Sequence, residues 1–380
     1  MNIAIIHSTL DFEGGAERTV LNLAREILNL GKNVDVYSIS FNKRKCYPEL
    51  NKNLNIYSLM DNFPYYSWRN QIFSPLEFLS KIYYGKRLSS RLKGHYDILN
   101  CHNFPSTITA IEVKKKKDTP VVWFCHEPLN IVQKNFPVNF IKKYEKKLID
   151  EIDEIVTYPF YNRPIIEKIY GRTPKEVLPG IDLEKFLKGD SEKIKENFHL
   201  SDNVLLFVGQ LIKDKRVQDI IKALKIVLDE GISACLIIVG DGNYKNELTS
   251  LANRLGISDN VVFTGYVNQK DLPHYYACAD VFLNPSIKQS WGLAPFEALA
   301  AETSVIVSRD TGGAEVIKKE GIGIVLEPMN PNIWGREILN ILEDTDKQTA
   351  LGKKGNKWVK KNMKWNKFAH DLLTIFESVI

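Results

Sequence analysis

The chain has few cysteines and no long apolar stretch. These two features disfavour a disulfide-bonded secreted protein and a membrane-spanning protein. Its five cysteines include no C-x-x-C pair, so they predict reduced, mostly buried thiols in a cytoplasmic protein. No apolar run reaches the roughly 18 residues that a membrane-spanning helix requires. The first residues lack a basic segment ahead of their short apolar run, which favours an initial strand over a signal peptide.

Signals for metal, dinucleotide and nucleic-acid binding are also missing. No group of His, Cys, Asp and Glu has metal-ligand spacing, and the D-x-D pattern of Asp344 and Asp346 is predicted to lie in a solvated loop. The absence of a G-x-G-x-x-G fingerprint disfavours a nicotinamide-dependent oxidoreductase. The net charge of +5 favours anionic partners, but no aromatic RNA-binding motif accompanies it, so we expect no nucleic-acid partner. The lysine run 114–117 is predicted to be a solvated helix end.

Length and patterning predict two α/β domains. A chain of 380 residues with 44% hydrophobic and 26% charged residues is long for one core and suits two. Short apolar runs alternate with amphipathic helical patterns, which is typical of parallel sheets covered by helices. Examples are a strand over 3–7 followed by a helix over 16–30, and strands over 204–208 and 234–239. Pro-Gly and Gly-Asp place the domain boundary near 179–190.

The most informative stretch is 284–301, which reads N-P-S-I-K-Q-S-W-G-L-A-P-F-E-A-L-A-A. An apolar strand precedes it, and Gly292 opens a helical pattern that carries Glu297. Backbone N–H groups at such a helix start can bind phosphate. A carboxylate one turn inside the helix can accept hydrogen bonds from two ribose hydroxyls. The stretch therefore predicts a nucleoside-diphosphate site.

The same stretch resembles the nucleotide-sugar site of retaining GT-B glycosyltransferases of the group 1, family 4-like type. Their pattern is Glu, seven residues, Glu and then Ala-Leu/Met-Ala. Glu297 matches the second Glu, and Gln289 replaces the first. Residues 207–219 resemble the family's G-R-L…K-G loop, in which Arg and Lys clamp the diphosphate. Lys215 matches that Lys, whereas Gln210 replaces the Arg and Arg216 replaces the following Gly.

The two Gln replacements leave the formal charge of the site unchanged, since one removes a positive charge and the other a negative charge. This paired exchange favours a donor site whose contacts have changed but which keeps catalytic activity. A member of the family that has lost catalysis is the alternative, so a catalytically impaired homologue that binds sugar nucleotides or glycolipids stays open.

Further motifs of the family lie in the first half of the chain. Gly14 and Gly15 follow the first predicted strand as part of G-G-x-E-R, which includes Glu17. His126 follows the predicted strand 121–125, and the family carries a sugar-contacting His at this place. His102 follows the preceding strand and is the weaker candidate, on the acceptor side.

The resemblance implies an α/β GT-B fold with two Rossmann-like domains whose parallel sheets face a central cleft. Residues 1–185 would bind the acceptor, residues 186–362 would bind the nucleotide sugar, and a helix over 363–380 would return to the N-terminal domain. The implied reaction moves a hexose from a nucleoside-diphosphate sugar to a glycan or lipid-linked acceptor with retention of configuration. The nucleotide sugar is a substrate, so no cofactor is expected, and helix ends and cations would replace a metal.

The implied site residues fall into three sets. The catalytic set is His126, Lys215, Gln289 and Glu297. The donor-binding set is Gly15, Gly209, Gln210, Lys215, Arg216, Gly240, Tyr266, Val267, Gln289, Gly292, Leu293 and Glu297. The acceptor-binding set is Gly14, Glu17 and His102. Aromatic and basic residues interleave over 63–93, which predicts peripheral association with the anionic inner face of the cell membrane. The alternative is that most of these aromatic side chains belong to the core or line the acceptor cleft.

Overall fold

The chain folds into two compact units. In the computed structural model the described residues are 1–61, 75–128, 138–198, 200 and 203–380. One unit comprises Met1–Gly180 with Trp365–Ile380, and the other comprises Ile181–Lys364. The aromatic half of the predicted membrane segment, residues 63–73, lies outside the described residues.

The first unit is built on a seven-stranded sheet whose strand pairs are all parallel. Its strands are β1 (Asn2–Leu10), β2 (Asn33–Phe41), β3 (Asn55–Asp61), β4 (Ile98–His102), β5 (Val121–Cys125), β6 (Glu154–Thr157) and β7 (Lys175–Glu176). The spatial order is β3-β2-β1-β4-β5-β6-β7. The central strands are buried on both faces, which explains their continuous apolar sequences.

The helices of this unit supply the apolar stripes that cover the sheet. They are α1 (Gly15–Asn29), α2 (Pro75–Ser89), α3 (Ser106–Lys117), α4 (Val138–Asp150) and α5 (Arg163–Tyr170). In α1 the fully buried Val20, Leu23 and Ile27 recur at helical spacing. The helix α1 ends at Asn29, one residue before the predicted end. Gly31 follows with φ 72°, a conformation that ends the helix.

The second unit has a six-stranded sheet in the order β10-β9-β8-β11-β12-β13. Its strands are β8 (Asn203–Val208), β9 (Ala234–Val239), β10 (Val261–Gly265), β11 (Val281–Asn284), β12 (Ser304–Ser308) and β13 (Ile324–Leu326). Its helices are α6 (Leu183–Phe186), α7 (Glu192–Phe198), α8 (Val217–Asp229), α9 (Lys245–Arg254), α10 (Leu272–Cys278), α11 (Ala294–Ala300), α12 (Ala314–Glu320), α13 (Pro331–Glu343) and α14 (Thr345–Asn362). The paired strands of this sheet are parallel as well.

The last helix, α15 (Trp365–Glu377), packs against α1 of the first unit. Its buried face includes Phe368, Leu372 and Phe376. The backbone around Trp365 lies so close to Gly180 that a β-carbon there would clash with it. The segment therefore belongs to the first unit although it follows the second in sequence.

Two further expectations meet the structure directly. All five cysteines are buried and free. Asp344 and Asp346 are both exposed, as predicted, and Asp344 lies between α13 and α14. The Asp344 side chain caps α14 by accepting from the backbone N–H of Lys347 at 2.9 Å, and Asp346 lies in the first turn of that helix rather than in a loop. Within the described ranges, no helix combines the length and the apolar character needed to cross a bilayer.

Candidate functional site

The candidate site of the second unit lies where the strand order of its sheet reverses. β8 lies between β9 and β11 in the sheet. The connection from β8 leads to β9 on one side, and the connection from β11 leads to β12 on the other side. Such a reversal leaves a crevice outside the carboxyl ends of the strands, where ligands of open α/β sheets bind. The loops after β8 and β11 carry most of the predicted donor residues.

A backbone hydrogen bond joins these two loops. After β8 the chain passes Gly209 and Gln210 and forms a 3-10 turn over Lys213–Lys215. The N–H of Ile287, in the loop after β11, donates to the carbonyl oxygen of Asp214 at 2.9 Å. The structure thus brings the Lys215 turn and the loop that carries Gln289 to the same edge of the sheet.

Arg216 has a different environment from the one predicted. It has φ 54°, and its guanidinium forms a two-pronged ion pair with Asp219, at 2.8 Å from Nε to Oδ2 and 3.0 Å from Nη2 to Oδ1. Asp219 is buried in α8. The charge of Arg216 is therefore balanced locally and its geometry fixes the start of α8, while its substitution for the family's Arg at residue 210 stays a prediction.

The strand ends approach most closely at Gly209 and Gly240. Gly240 follows β9 with φ 136°, and a β-carbon there would clash with the carbonyl oxygen of Gly209. The N–H of Gly240 donates to Gly265 at 2.8 Å, which ties the ends of β9 and β10 together. Tyr266 follows with 65% of its surface exposed, and Val267 is half-buried. This edge combines accessible backbone with an exposed ring, as a base-binding site requires.

The amide of Gln289 has a fixed polarity. Asn284 accepts at Oδ1 from the backbone N–H and the hydroxyl of Ser286, at 3.4 and 2.6 Å. Its Nδ2 therefore donates to Gln289 Oε1 at 3.1 Å. This leaves Gln289 Nε2 on the side of Gly292, where a β-carbon would lie 2.7 Å from it. Gln289 thus presents N–H donors where the family's Glu would present carboxylate oxygens.

Gly292 and the start of α11 have the backbone geometry for phosphate contact. Gly292 has φ 84°, which a residue with a side chain rarely adopts. Leu293 is the N-cap residue of α11, and Pro295 in the first turn has no N–H to offer. The N–H donors expected for a ligand are therefore those that precede Pro295.

Glu297 is buried and anchored. Its Oε2 accepts a hydrogen bond from the hydroxyl of Tyr276 at 2.7 Å, and only 5% of the residue is exposed. A carboxylate held in this way is preorganised as an acceptor.

The first unit has a corresponding reversal between β1 and β4. Gly14 is the N-cap of α1, and Glu17 occupies the third helical position, where a carboxylate can fold back over the helix start. A β-carbon on Gly14 would clash with the Glu17 carboxylate. His7 Nε2 lies 3.7 Å from Glu17 Oε1, and both residues are buried. The backbone at Gly14 and Gly15 can approach a ligand, whereas the Glu17 side chain faces the protein.

A chain of hydrogen bonds connects His102 and His126. Asn100 donates to the carbonyl oxygen of Val122 at 3.1 Å, so its Oδ1 accepts from His102 Nε2 at 2.8 Å. His102 Nδ1 lies 2.9 Å from His126 Nε2, and His126 Nδ1 lies 2.9 Å from the Tyr158 hydroxyl. Burial holds the pKa of both imidazoles well below the usual range, so both are neutral near pH 7.

Neutrality fixes the direction of this chain. His102 carries its proton on Nε2 and accepts at Nδ1, so His126 donates from Nε2 and accepts from Tyr158 at Nδ1. Both ring nitrogens of His126 have protein partners, and His102 is fully buried. The structure gives both ring nitrogens of His102 partners within the protein, and its place on the acceptor side stays a prediction. A direct bond from the His126 ring to a sugar requires the loss of one of the two existing bonds.

The residues of these sites that escaped the sequence analysis include Asn100, Tyr158, Asp219 and Asn284. The first was detectable, because Asn100 and His102 are two residues apart and share one face of β4. The other three acquire their roles from partners that no local pattern identifies.

Two parallel α/β units, each with a crevice at a strand-order reversal, define the GT-B class of fold. The model of Glycosyltransferase Family 4 matches residues 13–185, and that of Glycosyl transferases group 1 matches residues 190–358. The chain belongs to this group 1, family 4 set of glycosyltransferases, which is a retaining family that uses nucleotide-sugar donors.

Individual relatives are distant. An uncharacterised glycosyltransferase of Methanocaldococcus jannaschii is 26% identical over 385 residues, covering 96% of this chain and 94% of that protein. A GDP-mannose-dependent phosphatidylinositol monomannoside mannosyltransferase of Mycobacterium tuberculosis is 26% identical over 239 residues, covering 60% and 62%. Anabaena HepE in complex with UDP-glucose superposes with a TM-score of 0.81 at 16% identity over the whole of both chains. The lipopolysaccharide glycosyltransferase WaaG gives 0.74 at 19% identity, covering 98% and 99%.

Proposed function

We propose that this protein transfers a hexose from a nucleoside-diphosphate sugar to a glycan or glycolipid acceptor, with retention of anomeric configuration. The observation that carries the proposal is the edge of the second sheet at the reversal between β8 and β11. There the Lys215 turn, the Gln289 amide and the Gly292 backbone come from two loops joined by the Ile287–Asp214 hydrogen bond. A cation, N–H donors and a helix start together suit a diphosphate.

Lys215 is the proposed cation for the diphosphate. The leaving diphosphate gains negative charge as the bond to the sugar breaks, and preorganised positive groups stabilise that charge. The N–H groups at Gly292 and Leu293 add to this field, together with the dipole of α11. Arg216 supports the turn through Asp219, and Gln210 supplies a neutral donor where the family has Arg.

The nucleoside would be bound between Glu297 and the ends of β9 and β10. Glu297 accepts the ribose hydroxyls, and its bond to Tyr276 keeps the carboxylate in place. Gly240 and Val267 offer backbone to the base, and Tyr266 offers an exposed ring.

Gln289 would orient the hexose by donating rather than accepting. Its Oε1 is occupied by Asn284, so Nε2 faces a sugar oxygen. Hydroxyl oxygens accept as well as donate, so this exchange is compatible with an unmodified hexose.

The first unit is the proposed acceptor side. Backbone at Gly14 and Gly15 would meet the acceptor, while Glu17, which lies 3.7 Å from His7, holds the loop from behind. His126 supports the site through its place in the hydrogen-bonded chain.

A lipid-linked acceptor fits the part of the membrane segment that is described. On α2, Leu79 is 60% exposed and Tyr83 is 57% exposed, one helical turn apart, and Arg87 follows at the same spacing. Lys81 is fully buried and so not open to a membrane, whereas Lys86 is exposed and lies 3.6 Å from Glu112. Two relatives are named for glycolipids: the mannosyltransferase above for the glycolipid it acts on, and an alpha-monoglucosyldiacylglycerol synthase of Streptococcus pneumoniae for the one it makes.

A binding protein without transferase activity is the second candidate, favoured by Gln210 and Gln289 in place of charged residues. It would keep nucleotide affinity and lose turnover. The two functions differ in whether a bound nucleotide sugar is consumed.

The test pairs a binding screen with a turnover assay. UDP, GDP, ADP, TDP and NAD are compared by thermal shift, since a ligand at a hundredfold over Kd adds roughly 2.7 kcal/mol of stability. The sugar nucleotide of the best base is then followed for slow hydrolysis with and without EDTA. Hydrolysis that persists in EDTA supports a metal-independent transferase, and binding without hydrolysis or transfer supports the second candidate. Stabilisation by NAD alone contradicts both.

A further inference from the structure

A one-signed stretch of sequence covers the end of the second unit. Residues 347–370 contain eight lysines and neither Asp nor Glu. Most of them lie on α14, whose bounds are Thr345–Asn362. With six lysines and Asp346 as its one acidic residue, this helix has a net charge of +5, equal to that of the whole chain.

The fold turns these lysines to one side of α14. The opposite side is buried: Val359 is fully buried, Gly355 packs on Leu299, and Asn356 donates to the carbonyl oxygen of Ala300 at 2.8 Å. Helical spacing aligns the exposed lysines on the outward side. These are Lys353, Lys357, Lys360 and Lys361, with Lys354 beside them and Lys364 just beyond the helix end. We call the first four the lysine face.

The lysine face differs from the other lysine-rich helix end in its lack of counter-charges. In the run 114–117, Lys114 pairs with Asp153 at 2.6 Å and Lys115 with Glu151 at 3.1 Å. Among residues 203–380, no ion pair joins the four lysines of the lysine face to a carboxylate. Two lysines of the run 114–117 are thus paired with nearby carboxylates, whereas the charges of the lysine face are not.

Helix stability accounts for only part of the lysine face. Lys360 and Lys361 lie in the last turn, where positive charge favours the helix dipole. Lys353 and Lys357 lie in the middle of the helix, where mutual repulsion of like charges is unfavourable. Asp346 lies on the same side in the first turn, so the positive face occupies the second half of α14.

We propose that the lysine face binds the surface of an anionic phospholipid bilayer. Residues 353 and 361 are separated by about 12 Å along a straight helix, so their ammonium groups can meet several headgroups at once. Lysine is a point charge on a flexible stem and suits such a diffuse anionic plane. Trp358, beside the lysines, is half-buried with its ring 6.0 Å from that of Phe296.

A bilayer explains this face better than a nucleic acid. Single-stranded nucleic acids use exposed aromatic platforms and Arg stacking, and specific duplex contacts favour bidentate Arg. The lysine face contains no Arg, and its neighbouring Trp358 packs into the protein. The proposal concerns a surface of the second unit and does not depend on the transferase reaction.

The experiment compares two variants of the full chain with equal charge. The face variant carries Lys→Gln at residues 353, 357, 360 and 361. The control variant carries Lys→Gln at four scattered, exposed positions of the same unit, namely Lys188, Lys222, Lys270 and Lys319. Each loses four positive charges, from +5 to +1. Both are co-sedimented with vesicles of phosphatidylcholine alone and of phosphatidylcholine mixed with phosphatidylglycerol, at low and high salt.

The wild type is expected to sediment with the anionic vesicles only, and less at high salt. Each lysine near an anionic surface contributes roughly fivefold, so the face variant should lose about a hundredfold or more of vesicle affinity. The control variant should lose about tenfold or less. Unfolding midpoints of the three proteins show that all are folded.

Three results would overturn the proposal. One is equal loss of binding in the two variants, which would indicate net charge rather than the lysine face. Another is absence of wild-type binding to anionic vesicles at low salt. The third is tighter binding of a polyuridine RNA than of the vesicles, with the RNA affinity lost in the face variant.

Discussion

The hydrogen-bonded chain from Asn100 to Tyr158 predicts energetic coupling between two residues that do not touch. Asn100 fixes the proton of His102 on Nε2, and His102 in turn fixes the proton of His126 on Nε2. His126 Nδ1 then accepts a hydrogen bond from the Tyr158 hydroxyl. Removing Asn100 frees both histidines to take the other tautomer, whereas removing Tyr158 alone leaves Asn100 to fix both. The double-mutant cycle of Asn100→Leu and Tyr158→Phe therefore tests the chain as a unit.

The magnitude follows from burial. Tyr158→Phe leaves His126 Nδ1 without its donor in a residue that is 5% exposed. An unsatisfied buried polar atom costs about 1–3 kcal/mol. Asn100→Leu removes the acceptor of His102 and the bond to Val122, at a similar cost. In the double variant the two histidines can reorient together, so the losses should fall short of their sum by about 0.5 kcal/mol or more.

The assay is denaturant unfolding of the wild type, the two single variants and the double variant. A control cycle pairs Tyr158→Phe with Asn356→Leu, since Asn356 is also buried and bonded to a backbone carbonyl but has no link to the chain. Imidazole nitrogen NMR adds an independent readout and should show the proton of His126 on Nε2. The reasoning is refuted if the interaction free energy of the Asn100 cycle is no larger than that of the control cycle. It is also refuted if His126 carries its proton on Nδ1.

The remaining predictions concern the donor site and the pH dependence of stability. Lys215→Ala should lower kcat/KM by about a hundredfold, whereas Lys222→Ala should not; a wild-type rate in the first variant contradicts its role. Glu297→Gln should weaken nucleotide binding by about 1–3 kcal/mol in titration calorimetry, and unchanged affinity would exclude ribose contact. Burial raises the pKa of Glu145 to about 8 from its ordinary 4.5, so the folded state keeps a proton that the unfolded state releases. Stability should therefore fall as pH rises from 4.5 to 8, and Glu145→Gln should gain about 3 kcal/mol at pH 7 but little at pH 5; an equal gain at both pH values would contradict the shift.

The sequence by itself determined the class of fold and predicted the outline of a donor site. Apolar runs alternating with amphipathic helices follow from local periodicity, which reports burial on both faces of a parallel strand. The stretch 284–301 carries its phosphate-binding features within one strand–loop–helix unit, so no distant partner is needed to recognise them. Helix and strand ends differed by one to three residues, because caps such as Gly14 and extended pairing along β1 depend on neighbours.

Only the tertiary structure decided what the polar side chains of the sites can do. Arg216 follows a matched Lys and looks available in sequence, yet Asp219 on the next turn of α8 balances its charge. Gln289 can donate or accept, and it donates because Asn284, itself oriented by Ser286, occupies its oxygen. His126 looks like a ligand contact until strands far apart in sequence bring His102 and Tyr158 to its two nitrogens. A polar side chain can donate or accept, and it can bond to a ligand or to the protein. The partners that decide between these roles are placed beside it by the fold and not by the local sequence.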